Sequence, residues 1–221
     1  MSFLCFGSLN TDIVYGVKQL VRSGQTVQAL VRAVHCGGKG LNQSAALARA
    51  GASVSHAGAV GAGGDGAQLL SALSDFDVDV TRVCTLNAPT GHAIIQVDEA
   101  GQNCILVYGG VNRSMEPSMV DRALEGFGEG DWFLTQNETS CVPYLLSRAH
   151  AQGMTVCFNP SPITDEVFSY PLALVDVLLI NETEGALLTD QTGSDAILAV
   201  LAARYPLCEL VLTLGERGAV V

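Results

Sequence analysis

A chain of 221 residues, 48% apolar and 15% charged, can bury a substantial core in one domain and is not disordered. Its 11 Lys and Arg against 22 Asp and Glu leave a net charge of −11, which excludes the basic footprint that nucleic acid or an anionic membrane surface requires. Glycine is in excess, 24 of 221, without a collagen period or low-complexity tract, which implies tight turns and close approach of backbone to a ligand.

In chain order, Phe3–Phe6 reads as a buried strand ending at Gly7-Ser8, and Thr26–Val34 as a strand with no helix before it. Leu41–Ala50 reads as an alanine-rich helix stopped at Gly51, where a left-handed cap suits glycine. Val54–Val60 is the next strand, followed by a helix over Ala67–Phe76 with Leu69, Leu70, Leu73 and Phe76 at near-helical spacing. His92–Val97 and Cys104–Tyr108 read as a hairpin across the acidic turn Asp98–Gly101. A helix begins at Met119–Leu124, then come a strand at Trp132–Leu134, a helix at Val142–Ala151 and strands at Thr155–Phe158 and Val175–Ile180. A helix over Ala196–Arg204 and a strand over Leu210–Leu214 close the series. This alternation predicts an α/β fold, a mostly parallel sheet flanked by helices. The strands that lack helices predict a small antiparallel sheet, placed as a lid over a ligand.

The seven cysteines are scattered with no C-x-x-C pair, and no secretory leader pattern is present, so the chain is expected to be reduced and cytoplasmic. His35, His56, His92 and His150 form no i,i+4 pair and are expected to be satisfied in place or solvent-facing. No apolar run reaches the ~18 residues of a membrane helix.

The segment Gly61-Ala-Gly63-Gly-Asp-Gly66 satisfies G-x-G-x-x-G between a strand and a helix. A dinucleotide site also needs an acid about 20 residues on, where Thr85, Leu86 and Asn87 stand instead. The segment therefore reads as a tight turn. Asn10 and Asp12, in the loop after the first strand, offer an amide and a carboxylate for gripping vicinal hydroxyls, although an Asx turn would use the same residues. Gly37-Gly38-Lys39-Gly40-Leu-Asn42-Gln43 opens the first long helix but fails the phosphate-loop pattern, so it suits a polar, uncharged ligand. Gln136-Asn-Glu138 follows a strand, where Glu138 is either a site carboxylate or a solvated loop acid. Asn181 and Glu184 share a helix face suited to a hydrated metal–phosphate group, and they also have the form of a capping box. Thr213-Leu-Gly215-Glu-Arg-Gly218 ends the last strand in a tight turn.

Taken in order, Gly7-Ser-x-Asn10-x-Asp12, Gly37-Gly-Lys-Gly-x-Asn42-Gln43, Asn159-Pro-Ser-Pro162, Asn181-x-x-Glu184 and Thr213-Leu-Gly215-x-x-Gly218 resemble the ribokinase-like (PfkB) carbohydrate kinases. The resemblance covers essentially the whole chain, and the Gly-Gly-Lys-Gly-x-Asn-Gln form is most like the ribokinase branch. It implies a sugar kinase that moves the γ-phosphate of ATP to a sugar hydroxyl, ribose foremost, with Mg2+ and a monovalent cation as a further candidate. Asn10, Asp12, Gly38, Lys39, Asn42 and Glu138 match the family's sugar-binding positions. Asn181 and Glu184 match its phosphate and magnesium shell, with Glu184 the metal residue, and Thr213 and Gly215 match the start of the nucleotide pocket. The implied arrangement is one α/β domain over 1–221, with lid strands from about 13–35 and 91–111 that also serve as a homodimer contact. Relatives continue to an Asp-Thr-x-Gly-Ala-Gly-Asp segment carrying the base. Here the chain stops at Val221, so the C-terminal portion is expected to be missing and no catalytic residue is assigned. The alternative expectation is a sugar-binding remnant without turnover.

Overall fold

The computed structural model describes residues 1–221. Its strands are β1 (Phe3–Phe6), β2 (Asn10–Gly16), β3 (Val31–Gly37), β4 (Val54–Gly61), β5 (Asp79–Leu86), β6 (Gly91–Val97), β7 (Asn103–Tyr108), β8 (Trp132–Gln136), β9 (Thr155–Asn159), β10 (Val177–Asn181), β11 (Glu209–Thr213) and β12 (Ala219–Val220). The helices are α1 (Lys39–Arg49), α2 (Gly64–Ser74), α3 (Pro117–Leu124), α4 (Val142–Ala151), α5 (Glu182–Thr189) and α6 (Ser194–Arg204). Eight strands form the main sheet in the order β12-β11-β10-β9-β8-β1-β4-β5. All its pairs are parallel except β11–β12. This is the expected α/β fold.

Strand alternation assigns the two faces. Leu4 and Phe6 of β1, with Ala57 and Ala59 of β4, join the large core cluster beneath α3 and α4, which also takes in Leu188 of α5 and Ile197 and Leu201 of α6. Val54 and Val60 of β4 point the other way, against Leu41 of α1 and Leu69 and Leu73 of α2. No helix is long and apolar enough to cross a membrane.

The second sheet runs β3-β2-β6-β7. Its two antiparallel pairs, β2–β3 and the β6–β7 hairpin, are joined by a parallel pairing of β2 with β6. Three local readings shift. The strand expected over Thr26–Val34 lies at Val31–Gly37, where its pairing with β2 is available. Asn10 and Asp12, expected in a loop, lie on β2, because Asn10 pairs at once with Gly37 and Gly91. The strand β5, at the sheet edge, was not anticipated, since Asp79, Thr81 and Arg82 interrupt its apolar pattern. The glycine segment Gly61–Gly66 is the turn expected, and α2 begins within it, at Gly64.

One polar residue sits on the face of β4 that meets α1. His56 is fully buried, with Nδ1 2.7 Å from the Ser44 hydroxyl of α1. Burial lowers its pKa from 6.5 to about 4, so the folded protein holds the ring neutral. The unfolded chain takes up this proton at higher pH than the folded one. Stability is therefore intact above pH 6.5 and falls as pH drops toward 4, by about 3 kcal/mol in all. Urea unfolding between pH 7 and pH 4 is expected to show a flatter acid limb in His56→Leu than in the unmodified chain. Equal slopes would remove this assignment.

Candidate functional site

From β1 the chain moves to β4 and β5 on one side and then returns to β8 on the other. Strand order thus reverses at the β1–β8 pair, and the crevice outside their carboxyl ends is where such sheets bind ligands. Residues after β1 and after β8 meet there, and the N-terminus of α1 is wedged between them. The wedge depends on glycine. At Gly38, with φ +94, a Cβ would lie 2.7 Å from the Ser8 carbonyl oxygen and 3.0 Å from the Asn10 nitrogen. At Gly40 it would lie 2.6 Å from Gly7 Cα and Ser8 N.

Glu138 ties these elements together. Its carboxylate accepts from the Ser8 hydroxyl, from the Lys39 backbone N–H at 3.1 Å and from Lys39 Nζ at 3.0 Å. Glu138 is not a solvated loop acid, since only 15% of its side chain is exposed. Its charge also lies at the first turn of α1, where the helix dipole favours an anion.

Asn10 and Asp12 flank this centre on β2. Asn112, buried after β7, accepts from Leu9 N at 3.1 Å and donates to Leu9 O at 3.2 Å. That backbone pairing fixes which end of the Asn112 amide is nitrogen, and the same Nδ2 donates to Asn10 Oδ1 at 2.8 Å. Asn10 is left with a free N–H donor pair. Asp12 packs against Gly37, and its carboxylate has no hydrogen-bond partner in the chain. Its pKa is raised, chiefly by burial and then by the charge of Glu138, while His35 and Lys39 act in the opposite sense.

Two cavities open on either side of the Lys39–Glu138 pair. The smaller, about 210 Å3, is lined by Asn10, Val107, Gly109, Asn112, Arg113, Glu138 and Pro162. The larger, about 490 Å3, is lined chiefly by the polar residues Lys39, Asn42, Gln43, Asn159, Ser161, Asn181, Glu184 and Thr213. Lys39 faces one and Glu138 the other, so their ion pair is the shared wall. A further cavity of about 350 Å3 between β5 and α3 shares no residue with either.

Asn181 and Glu184 do form a capping box at the start of α5. Asn181 Oδ1 accepts from Glu184 N at 2.8 Å, and Glu184 Oε2 accepts from Asn181 N at 3.0 Å, leaving Oε1 unbonded. Of the residues singled out in the sequence, Lys39, Asn42, Asn181, Glu184 and Thr213 line the larger cavity, and Asn10 and Glu138 the smaller. Asp12 and Gly38 lie against the backbone between β2 and α1. Gly215, at φ +61 in the turn after β11, lines neither. Asn112 and Arg113 carry no local signal. Arg113 donates to the carbonyls of Thr139 and Asn137 at 3.3 and 3.5 Å, bracing the segment that holds Glu138. Gln43, Asn159 and Ser161 also line the larger cavity.

A family model described as pfkB family carbohydrate kinase matches residues 2–221. The chain is 32% identical over 225 residues to the ribokinase of Haemophilus influenzae, covering 97% of this chain and 72% of that protein. It is 33% identical over 224 residues to the ribokinase of Staphylococcus aureus, covering 96% and 72%. Among solved structures, Arabidopsis thaliana ribokinase complexed with ribose and ATP superposes with a TM-score of 0.80 at 26% identity, covering 99% of this chain and 73% of that one.

Proposed function

The chain belongs to the pfkB family of carbohydrate kinases, and from that premise we propose that it transfers the γ-phosphate of ATP to a hydroxyl of ribose. The observation that carries this reading is the pair of cavities, each lined mostly by polar residues, divided by Lys39 and Glu138. A sugar in the smaller one would place a hydroxyl at that wall, facing a phosphate in the larger. Asn10, Asp12, Gly38, Lys39, Asn42 and Glu138 are proposed as sugar contacts, with Lys39 and Asn42 reaching the sugar from the larger-cavity side of the wall. The free N–H pair of Asn10 and the unpartnered carboxylate of Asp12 supply a donor and an acceptor for adjacent hydroxyls. Asn181, Glu184, Thr213 and Gly215 are proposed to hold the nucleotide. Transfer of this kind relies on positioning and charge stabilisation, and the wall residues supply positioning.

Magnesium fits one position. The chain has no group of three or more His, Cys, Asp or Glu able to cage a metal. Magnesium needs only one or two carboxylates beside waters and phosphate oxygens, and the unbonded Oε1 of Glu184 in the larger cavity meets that need. When bound, the ion would neutralise phosphate charge. We assign the acceptor of the hydroxyl proton to no residue of this chain.

The second sheet supports a further part of the proposal, a homodimer through the lid. Ile105, Leu106, Val107 and Tyr108 on edge strand β7 are 49–67% exposed, and Leu30 and Val31 are 57% and 61% exposed. An uncovered apolar edge of this kind suits pairing with a second chain. Calorimetry with ribose and with ATP, a coupled ADP-release assay and sedimentation of the same preparation test the proposal. Saturable binding of both, turnover above background and twice the chain mass are the expected results. Ribose binding without turnover would favour a sugar-binding protein, and no binding of ribose would end the proposal.

A further inference from the structure

We infer that Gln43 presents a pair of N–H donors to the larger cavity and contacts a phosphoryl oxygen there, its orientation fixed by the buried Gln136. This rests on the kinase reading above and adds a contact to it. Hydrogen-bond polarity sets this orientation. The Cys5 thiol is fully buried, and burial raises its pKa to about 11, so the proton is in place at neutral pH. That proton is committed to the carbonyl of Gly40 at 3.5 Å. The sulfur is then an acceptor, and the atom of Gln136 that faces it at 3.6 Å is the donor Nε2.

Gln136 is itself fully buried at the end of β8. With its nitrogen so placed, its oxygen lies against Gly7, where no N–H partners it. The reverse orientation would bury the amide nitrogen there without an acceptor, and an orphaned buried N–H is rarer than an under-satisfied carbonyl. Gln136 Nε2 donates to Gln43 Oε1 at 2.6 Å. The carbonyl end of Gln43 is therefore occupied, and the end left free is a donor without a protein partner. It opens on the larger cavity, whose lining it shares with Asn181, Glu184 and Thr213. A donor there recognises an acceptor-rich ligand, and a phosphoryl group presents only acceptors.

The variant Gln43→Glu tests polarity alone. It keeps an acceptor for Gln136 Nε2 and replaces the free donors with an oxygen anion. Calorimetry with ribose and with ribose 5-phosphate on the full chain supplies the readout. The ratio of ribose 5-phosphate affinity to ribose affinity is expected to fall on the order of tenfold or more. In Gln43→Leu, which removes the donor without adding charge, the ratio is expected to fall severalfold. Equal losses for the two ligands, or an unchanged ratio in both variants, would overturn the assignment and leave Gln43 a structural residue. An unmodified chain that binds ribose but not ribose 5-phosphate would overturn it alone. One that binds neither would overturn the kinase reading as well.

Discussion

Asp12→Ala is expected to abolish measurable ribose binding, a loss on the order of 100-fold or more. A half-buried carboxylate without a protein partner keeps its accepting capacity for a ligand, and alanine offers no neutral substitute. The fold should survive. Burial and Glu138 hold the Asp12 pKa above its ordinary value, so at neutral pH the ionised side chain opposes folding. The variant should accordingly unfold at the same temperature as the unmodified chain or slightly higher. The same shift predicts that ribose affinity declines with acidity from a higher pH than an ordinary aspartate would give. Calorimetry across pH reads both effects. Unchanged ribose affinity in the variant would remove Asp12 from the site.

Gly40→Ala is expected to cost about 2–3 kcal/mol of stability and to lower the melting temperature by roughly 4–12 °C. The added Cβ would fall 2.6 Å from Gly7 Cα, Gly7 C and Ser8 N, all backbone atoms that cannot turn aside. Relief requires α1 to back away from the Gly7–Ser8 turn, which carries Lys39 away from Glu138. Ribose affinity should therefore fall together with stability. The control is Gly63→Ala, in the segment that imitates a dinucleotide loop. A Cβ there meets nothing within 4 Å, and its φ of −92 suits alanine. That change is expected to be neutral or mildly stabilising. The proposal is falsified if the two variants melt alike.

Much of the fold could be read from local pattern. The span Val142–Ala151 is helical over the predicted residues, and the Asn181–Glu184 cap forms as its spacing implied. These features depend on neighbours within one or two turns. The hairpin across Asp98–Gly101 is equally local. What the sequence did not disclose depends on partners far along the chain. The strand β5 pairs only with β4 at the sheet edge, and its polar residues give no clean alternation. Asn112 orients Asn10 from 102 positions away, and Gln136 meets Gln43 from 93. A side chain that acts by fixing the polarity of another amide carries no mark of that role in its own neighbourhood. The sequence leaves Glu138 open for the same reason, because its partners are Ser8 and Lys39, about 100 or more positions away.

The continuity of β2 has a consequence for how this architecture can vary. Asn10 and Asp12 occupy the same strand that pairs with both β3 and β6 at the centre of the second sheet. The lid is thus not a detachable module. A deletion or transplant of it would carry away the groups proposed to grip the sugar. A tilt of the sheet, whether driven by a partner chain or by the β6–β7 hairpin, reaches Asp12 as leverage along a rigid bar. The proposed sugar site and the proposed contact between chains share one strand, so drift in the outer hairpin is open to selection through its effect on Asn10 and Asp12.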